Sequence, residues 1–471
     1  MRVRARLLLA LLPLCASGAQ GAEQQTLVVD AAGRGDHRTI AAAVEAAAEG
    51  TRILVRAGRY AGAFEVVRSV DLVAEGDVEL KVSTPLIWSA PEGSFRGFRV
   101  IRLEADDEDV ARGALRVTAG APVIEGNEFS GDYVGAFEAE ARPLVRDNRV
   151  HDSRGGGLYC DGCAASFEDN ESFANTLAGI RIRAGVDAVV RGNVVRDNAQ
   201  GGIFAFQASR VRIEANEVFG NALSGIEVSS ESEVEVIDNV LRSNGGSGIY
   251  VHTGSEGHLE GNLVTAPENS GISIEASRVL MLHNKVLDGG TTGIFLDEGA
   301  SGIVYGNLVA RSGYSGIALA NGADPLVAGN VVRDQQQGGI FVYSGGRGRL
   351  LGNLVYGNTF AGIELSGADG TEVVGNTVRD NAQSGVYVHE GTRGRIEDNL
   401  LQRNGYDGVF VTEESDVVVV GNRIVDSGGW AVRTQGANRG VVGANLRSGN
   451  DGDYSLDENS TFSSWGPDNI R

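Results

Sequence analysis

The chain of 471 residues combines an ordinary share of hydrophobic residues with a strong excess of acids. Hydrophobic residues make up 42% and charged residues 22%, and the formal net charge at pH 7 is −21. This charge argues against nucleic acid and anionic membranes as partners, because both repel an acidic protein. It also weighs against a strongly polyanionic substrate, unless a cation or a local basic patch intervenes.

Residues 1–22 predict a secretory signal peptide. Three arginines precede the apolar run 7–14, and small residues follow over 16–22. An uncleaved anchor is disfavoured, because this apolar run is too short to span a bilayer. No later segment resembles a transmembrane helix. The sequence therefore predicts an exported protein that is periplasmic, bound to the cell surface or secreted.

Residues 23–60 predict an N-terminal cap with a first strand. The segment 26–29 reads as a strand, and the alanine-rich segment 39–48 has apolar residues at helical spacing. Gly50 ends this predicted helix. We expect the helix to cover the open end of the core, which would otherwise be an edge available for pairing.

A repeat of about 23 residues recurs between Asn148 and Asn445 and predicts a β-helix domain over residues 61–447, of which residues 61–125 are less regular. Each copy has a Gly-Ile/Val-x-Val strand, a loop and an apolar strand that ends in asparagine. The asparagines are Asn148, Asn170, Asn193, Asn216, Asn239, Asn262, Asn284, Asn307, Asn330, Asn353, Asn376, Asn399, Asn422 and Asn445. Short strands with alternating apolar residues cannot bury their faces alone, whereas stacked copies can. The repeat predicts an all-β parallel β-helix of about 14 or 15 coils, with strands about 4.8 Å apart.

The repeated asparagine and glycine have predicted structural roles. We expect each asparagine to lie at a sharp turn, where a left-handed backbone is tolerated and its amide bonds to the asparagine of the next coil. The glycine before each first strand suits a turn with positive φ or a close approach of backbones.

Two local features interrupt the repeats or precede them. The acidic segment 103–110 predicts a solvated loop, with a calcium site as the alternative. Cys160 and Cys163 form a C-x-x-C pair. The pair is compatible with a local disulfide and with two buried or turn thiols. Metal binding is disfavoured, because a second C-x-x-C pair is missing.

The sequence resembles known β-helix families in two places. Residues 35–47, followed by 53–60, resemble the opening of pectinesterase- and pectate-lyase-like proteins. The repeats resemble the carbohydrate-binding proteins and sugar hydrolases with right-handed β-helix repeats, a group that includes mannuronan C5-epimerases and a copper-site maturation protein. The resemblance implies a right-handed helix, a polysaccharide partner and a sugar groove along the Gly-Ile-x-Val strand. The six histidines are scattered without a Met or Cys cluster, which argues against metal transport.

The two x positions of Gly-Ile-x-Val-x are predicted to point outwards and to align in two columns. The first column is Arg181, Phe204, Glu227, Tyr250, Ser273, Phe295, Ala318, Phe341, Glu364, Tyr387 and Phe410; the second is Arg183, Phe206, Ser229, His252, Glu275, Asp297, Ala320, Tyr343, Ser366, His389 and Thr412. Five aromatic residues of the first column lie on alternate coils, about 9.6 Å apart, which is close to the repeat of a β-linked disaccharide. Exposed aromatic rings suit sugar stacking; the alternative is that these rings only stabilise the sheet.

Two patches of the columns carry candidate chemistry. Tyr250, His252, Glu275 and Asp297 fall on three successive coils and are the predicted catalytic residues, since adjacent carboxylates can serve as acid and base. The predicted substrate-binding residues are Phe204, Glu227, Phe295, Phe341, Tyr343, Glu364, Tyr387 and His389. A solvated polar strip is the alternative in both patches. The sequence departs from the epimerase pattern, since it lacks an Asp-Pro-His motif, and from the paired Asp and Arg arrangement of an esterase.

Residues 448–471 are rich in Asn, Asp, Ser and Gly and predict a C-terminal cap or tail. The whole sequence predicts an exported protein that binds or modifies a polysaccharide as a lyase, hydrolase or epimerase. A noncatalytic surface, adhesion or periplasmic accessory scaffold is the alternative, which the regularity of the coils favours. The sequence names no cofactor, although calcium is the candidate to test.

Overall fold

The computed structural model describes residues 24–103 and 113–465. These residues form a parallel β-helix of about 19 turns, more than the 14 or 15 counted from the repeats. The additional turns lie outside the regular repeat. At the start, the strands Arg52–Ala61, Val70–Val82 and Gly93–Arg102 each run through two sides of the helix, so they lack the short-strand pattern. The signal peptide and most of the acidic segment 103–110 lie outside the described residues.

Each turn contributes strands to three faces. Face 1 contains the Gly-Ile-x-Val strands, face 2 the strands before the repeated asparagine, and face 3 the short strands after it.

The strands of face 1 pair in parallel in chain order. Within the described residues they are Glu65–Val66, Leu86–Trp88, Leu115–Val117, Val134–Phe137, Leu158–Asp161, Ile180–Arg183, Ile203–Phe206, Ile226–Val228, Ile249–Val251, Ile272–Glu275, Ile294–Asp297, Ile317–Leu319, Ile340–Tyr343, Ile363–Ser366, Val386–His389, Val409–Thr412, Trp430–Gln435 and Gly452–Ser455.

Face 2 begins with Thr26–Val29 and with the three long strands, which continue into face 3. Its other strands in the described part are Val123–Glu125, Leu144–Arg146, Ser166–Glu168, Ala188–Arg191, Arg210–Glu214, Glu233–Ile237, Glu256–Glu260, Arg278–Leu282, Ser301–Tyr305, Asp324–Ala328, Arg349–Leu351, Asp369–Val374, Arg393–Glu397, Asp416–Val420, Arg439–Gly443 and Thr461–Trp465.

Face 3 is completed by short strands that stack in the same order. They are Glu128–Ser130, Arg149–His151, Glu171–Phe173, Val194–Arg196, Glu217–Phe219, Val240–Arg242, Leu263–Thr265, Lys285–Leu287, Leu308–Ala310, Val331–Arg333, Leu354–Tyr356, Thr377–Arg379, Leu400–Gln402, Arg423–Val425 and Leu446–Ser448.

The three faces enclose one apolar core. Ile203 on face 1, Ile213 on face 2 and Val218 on face 3 are fully buried, whereas Phe204 between two inward residues is partly exposed. This alternation follows from the two-residue period of a strand. The prediction of inward Ile and Val positions is confirmed.

The repeated asparagines form a buried ladder, as predicted. Asn239 Nδ2 donates to Asn262 Oδ1 at 3.0 Å and to the carbonyl of Ile213 at 2.9 Å, while its Oδ1 accepts from both nitrogens of Asn216. The left-handed residue, however, is the one before the asparagine, such as Asp238 with φ 53°. The side chain of the asparagine makes hydrogen bonds to the two neighbouring coils.

Two details of the turns differ from simple expectation. Gly202 takes no positive φ; a Cβ there would lie 2.3 Å from Val218 Cγ1, so close approach explains this glycine. A second amide ladder, which the sequence analysis missed, joins Asn175, Asn198, Asn221 and Asn244 at 2.8–3.0 Å. It fixes the turn that leads into face 1.

The ends of the stack are also defined. A helix at Ile40–Ala46 is capped by Thr39, whose hydroxyl accepts from the Ala42 amide, and Ile40 and Val44 are buried. The predicted helix is confirmed, although its role in closing the core stays a prediction. Strands at 452–455 and 461–465 pair with the preceding coil. Within the described residues, no helix is long and apolar enough to cross a membrane.

The ladder predicts a specific loss of stability on Asn239→Ala. The substitution removes the acceptor of the buried Asn216 amide and the bonds that the Asn239 side chain donates to Asn262 and to the carbonyl of Ile213, which costs about 3 kcal/mol. Because a solenoid unfolds in parts, hydrogen exchange of amides in the adjacent coils is the measurement. The matched control is Asn269→Ala, since Asn269 is exposed; equal exchange in the two variants would contradict a stabilising ladder.

Candidate functional site

The outward residues of face 1 align as predicted. Strand register joins Phe204, Glu227, Tyr250, Ser273, Phe295, Ala318, Phe341, Glu364, Tyr387 and Phe410 in one continuous first column. In the second column, Glu275 lies beside Asp297, and Ser366 beside His389. Adjacent members are therefore about 4.8 Å apart at the backbone.

Rings of the two columns stack on each other within single strands. The pairs are Phe204–Phe206, Tyr250–His252, Phe341–Tyr343 and Tyr387–His389. Their centroids are 4.2–4.5 Å apart and their planes are within 13–18°. The two residues of a pair lie two positions apart on the same strand, so their rings stand side by side on the sheet. Each ring gives one face to its partner; Phe206 also lies under Arg181, and Tyr387 also stacks with Phe410.

A column of small residues runs beside the first column, one position before the repeated glycine. Its members include Ser224, Ser247, Ser270, Thr292, Ser315, Gly338, Ala361 and Ser384. A Cβ at Gly338 would lie 3.9 Å from both Glu364 Oε2 and Ser315 Oγ, which places this column directly beside the first. The small side chains leave room beside the rings, and the serines among them are buried. This column was not predicted, although the small-Gly-Ile pattern is visible in the sequence.

Tyr250 and Glu275 form the first hydrogen-bonded pair of the predicted catalytic patch. Tyr250 Oη donates to Glu275 Oε2 at 2.5 Å. Burial, and then this bond and the charge of Glu275, raise the pKa of Tyr250 well above its usual value. Tyr250 is therefore a proton donor at neutral pH and not a base.

His252 forms a separate pair with Glu227, one coil earlier. The distance from His252 Nε2 to Glu227 Oε1 is 3.2 Å, and that from Nδ1 to Thr253 Oγ1 is 2.8 Å. Such a carboxylate orients the imidazole. Both ring nitrogens of His252 thus have partners.

Asp297, the fourth predicted catalytic residue, belongs to neither hydrogen-bonded pair. Its Oδ1 accepts from the Glu298 amide at 2.9 Å and from Asn321 Nδ2 at 2.8 Å. Its charge raises the pKa of Tyr343, which burial raises more strongly. Asp297 thus lies beside Glu275 in the strand register, but its side-chain bond to another coil is made with Asn321 of the following coil.

The second patch repeats the histidine–glutamate pair of the first patch. His389 Nε2 lies 3.0 Å from Glu364 Oε1, and the His389 ring stacks on Tyr387. Burial lowers the pKa of His389. The bond to Glu364 and the charges of Glu364, Glu390 and Glu413 raise this pKa by more than burial lowers it, so the net shift is upwards. Tyr387 also stacks with Phe410 of the next coil, 5.4 Å between centroids.

Charge is distributed unevenly over the surface. On face 3, Glu171 pairs with Arg149 and Arg196, an arrangement repeated by many acids of faces 2 and 3. Within residues 24–103 and 113–465, by contrast, no arginine or lysine pairs with Glu227, Glu275, Asp297 or Glu364.

Arginines bracket the columns at their two ends. Arg181 lies over the rings of Tyr159 and Phe206, and Arg433 over Phe410. The middle of face 1 is therefore acidic and aromatic, and its ends are basic.

Two further features lie away from the columns. Cys160 and Cys163 are joined by a disulfide, with Cα atoms 5.6 Å apart, and both are buried. A concavity of about 650 Å³ lies on face 2 between Arg210, Glu235, His258 and Ile303.

A family model described as a right handed beta helix region matches residues 108–239, 224–378 and 361–464. The chain belongs to this family. The right-handed winding and the β-helix family predicted from the resemblance are confirmed. No curated protein sequence matches the chain.

Solved structures resemble the chain at low identity. The A-module of mannuronan C-5 epimerase AlgE4 from Azotobacter vinelandii is 14% identical, with 90% of this chain and 93% of that chain covered and a TM-score of 0.24. Pectate lyase Pel9A is 13% identical over 56% and 78%, with a TM-score of 0.32. The periplasmic alginate epimerase AlgG is 12% identical over 88% and 77%, with a TM-score of 0.26. Values this low transfer no site to this chain.

The Tyr250–Glu275 bond predicts a measurable change in acidity. Glu275→Gln removes the charge that disfavours tyrosinate, so we expect the pKa of Tyr250 to fall towards its usual value of about 10. NMR of tyrosine labelled in the ring measures it, with Tyr250→Phe assigning the signal. Asp297→Asn is the matched control, because Asp297 makes no hydrogen bond to Tyr250; an equal fall in both variants would refute the pairing.

Proposed function

We propose that this chain is an exported protein that binds a long polysaccharide along face 1 and acts on it at the Tyr250 patch. The observation that carries the proposal is the aromatic ring that the first column places on alternate coils. Phe204, Tyr250, Phe295, Phe341 and Tyr387 recur every two coils, about 9.6 Å. This period suits a polymer whose disaccharide units repeat along the helix axis.

The surface around these rings offers the groups that a sugar needs. Upright rings supply apolar faces and edges for pyranose C–H groups. Carboxylates of Glu227, Glu275 and Glu364 accept hydrogen bonds from hydroxyls, and the column of small residues leaves room for the sugar beside the rings. The predicted substrate-binding residues thus share one surface.

The charge of this surface selects the class of polysaccharide. Carboxylates without an arginine or lysine partner repel a polyanion, so a neutral or amino-sugar polymer is favoured. Lyase and uronate-epimerase chemistry both require a uronate and therefore a cation at the site. Hydrolysis of a neutral polymer requires none. Among the three predicted reactions, hydrolysis fits this charge best.

The residues of the patch have distinct roles in such a reaction. Glu275 and Asp297 lie on adjacent coils, about 4.8 Å apart at the backbone, and they serve as the carboxyl pair of acid and base. Tyr250 holds Glu275 by donating to it. His252, oriented by Glu227, supplies or takes a proton beside this pair.

A noncatalytic scaffold is the second candidate. It is favoured by the concavity of about 650 Å³ on face 2, which lies away from the columns of face 1. In that case the rings only stabilise the stack, and the binding surface lies elsewhere.

Aromatic substitutions on two faces distinguish these proposals. We expect Phe295→Ala/Phe341→Ala to weaken binding on a glycan array by at least tenfold, since each lost stacking contact costs about 1 kcal/mol or more. The control is Phe219→Ala/Tyr356→Ala, which removes two outward rings of face 3 that lie under arginines. Equal losses, or no binding by the parent with or without calcium, would favour the scaffold.

Catalysis is tested separately once a glycan binds. Glu275→Gln and His252→Ala should abolish turnover while binding is retained, because neither residue belongs to the stacked Phe column. Turnover that survives both substitutions would remove the Tyr250 patch from the reaction.

A further inference from the structure

Face 1 carries the same constellation of side chains twice. Glu227, Ser229, Tyr250 and His252 correspond to Glu364, Ser366, Tyr387 and His389, each 137 residues later. Strand register separates the copies by six coils, about 29 Å along the axis. In both copies the histidine stacks on the tyrosine, and its Nε2 lies beside the glutamate.

Two of the positions that differ around the histidine bear on its second ring nitrogen. The first copy has Thr253 and Ala276 where the second has Glu390 and Glu413. The ring nitrogen Nδ1 of His252 lies 2.8 Å from the Thr253 hydroxyl. No such bond is made in the second copy.

The free nitrogen of His389 faces the additional carboxylates. Its Nδ1 is 3.8 Å from Glu413 Oε2, too far for a hydrogen bond, and ligand atoms of His389, Glu390 and Glu413 all lie within 4.8 Å of one another. Within residues 24–103 and 113–465, no arginine or lysine pairs with Glu390 or Glu413. Two acids therefore surround an imidazole lone pair without a cation beside them.

We propose that His389, Glu390 and Glu413 bind one divalent transition-metal ion of the zinc class. His389 supplies Nδ1 and each glutamate supplies one carboxylate oxygen. This site does not depend on polysaccharide binding, and it is separate from the Tyr250 patch.

The surrounding residues orient these ligands. Glu364 engages Nε2 of His389, which leaves Nδ1 as the metal-binding atom; such carboxylate–histidine pairing is typical around bound metals. The Ser366 hydroxyl donates to Glu390 Oε2, and the Glu390 amide donates to Glu413 Oε2 at 3.2 Å. Both carboxylates are thereby held on the same side of the ring.

The donor set selects the ion. One imidazole nitrogen with two carboxylate oxygens suits zinc and its neighbours, whereas calcium takes oxygen ligands only. Zinc ligands at about 2.0–2.2 Å lie roughly 3.3 Å apart. Some of the ligand atoms must therefore approach one another by up to about 1.5 Å, and the Glu413 side chain, which is 60% exposed, can move. Three protein ligands leave a position for water.

The test is equilibrium dialysis of the full chain, freed of metal by EDTA, against micromolar Zn²⁺. We expect one ion per chain, not displaced by excess Ca²⁺. His389→Ala and Glu413→Gln should abolish this binding, and Glu364→Gln should weaken it about 10–100-fold. His252→Ala is the matched control and should leave the stoichiometry unchanged. Co²⁺ provides a second readout, since a nitrogen-ligated ion has visible absorption that the His389→Ala variant lacks.

The first copy allows a reciprocal experiment that does not rely on loss of binding. Thr253→Glu/Ala276→Glu introduces the two carboxylates around His252 and should give a second ion per chain. The proposal is overturned if the parent chain binds no Zn²⁺ at these concentrations, or if binding survives His389→Ala with circular dichroism showing a folded chain.

Discussion

The buried asparagine ladder is the constraint on which the rest of the structure depends. Each amide donates to one neighbouring coil and accepts from the other, so an asparagine is satisfied only if the next one arrives at the same position. Unpaired amides in an apolar core are costly. The chain is therefore held to a period of 22 or 23 residues between Asn148 and Asn445, and the strands are held in register.

Fixed register turns single outward residues into columns. Because every coil repeats the same path, a side chain at one position has its counterpart about 4.8 Å away in the next coil. Faces 2 and 3 use this to pair many acids with arginines, as Glu171 does with Arg149. Face 1 instead places rings in its columns, together with carboxylates that have no arginine or lysine partner among the described residues. Within each repeat, faces 2 and 3 thus carry charge pairs that stabilise the stack, and face 1 carries the groups proposed to bind a ligand.

Much of this arrangement could be predicted from the sequence, because it depends on spacing alone. The alternation of Ile203 and Phe204, the asparagine ladder and the order of the first column follow from a 23-residue period and a two-residue strand period. The number of turns did not follow, since Arg52–Ala61 and its two successors are long strands that lack the repeat. The second ladder at Asn198 was missed because it is interrupted, and the left-handed residue was placed on the asparagine instead of on Asp238 before it.

The sequence by itself determined the β-helix, its register and which residues share a face, since these follow from periodic burial and hydrogen bonding. Only the tertiary structure decided how neighbours within a face pair. Tyr250 donates to Glu275, His252 lies against Glu227, and Asp297 bonds with Asn321 instead. Spacing gives each side chain several neighbours at almost equal distance, and the choice among them depends on rotamers and ring stacking, which a linear pattern does not encode. The same holds for His389, whose free nitrogen is defined by the bond that its other nitrogen makes.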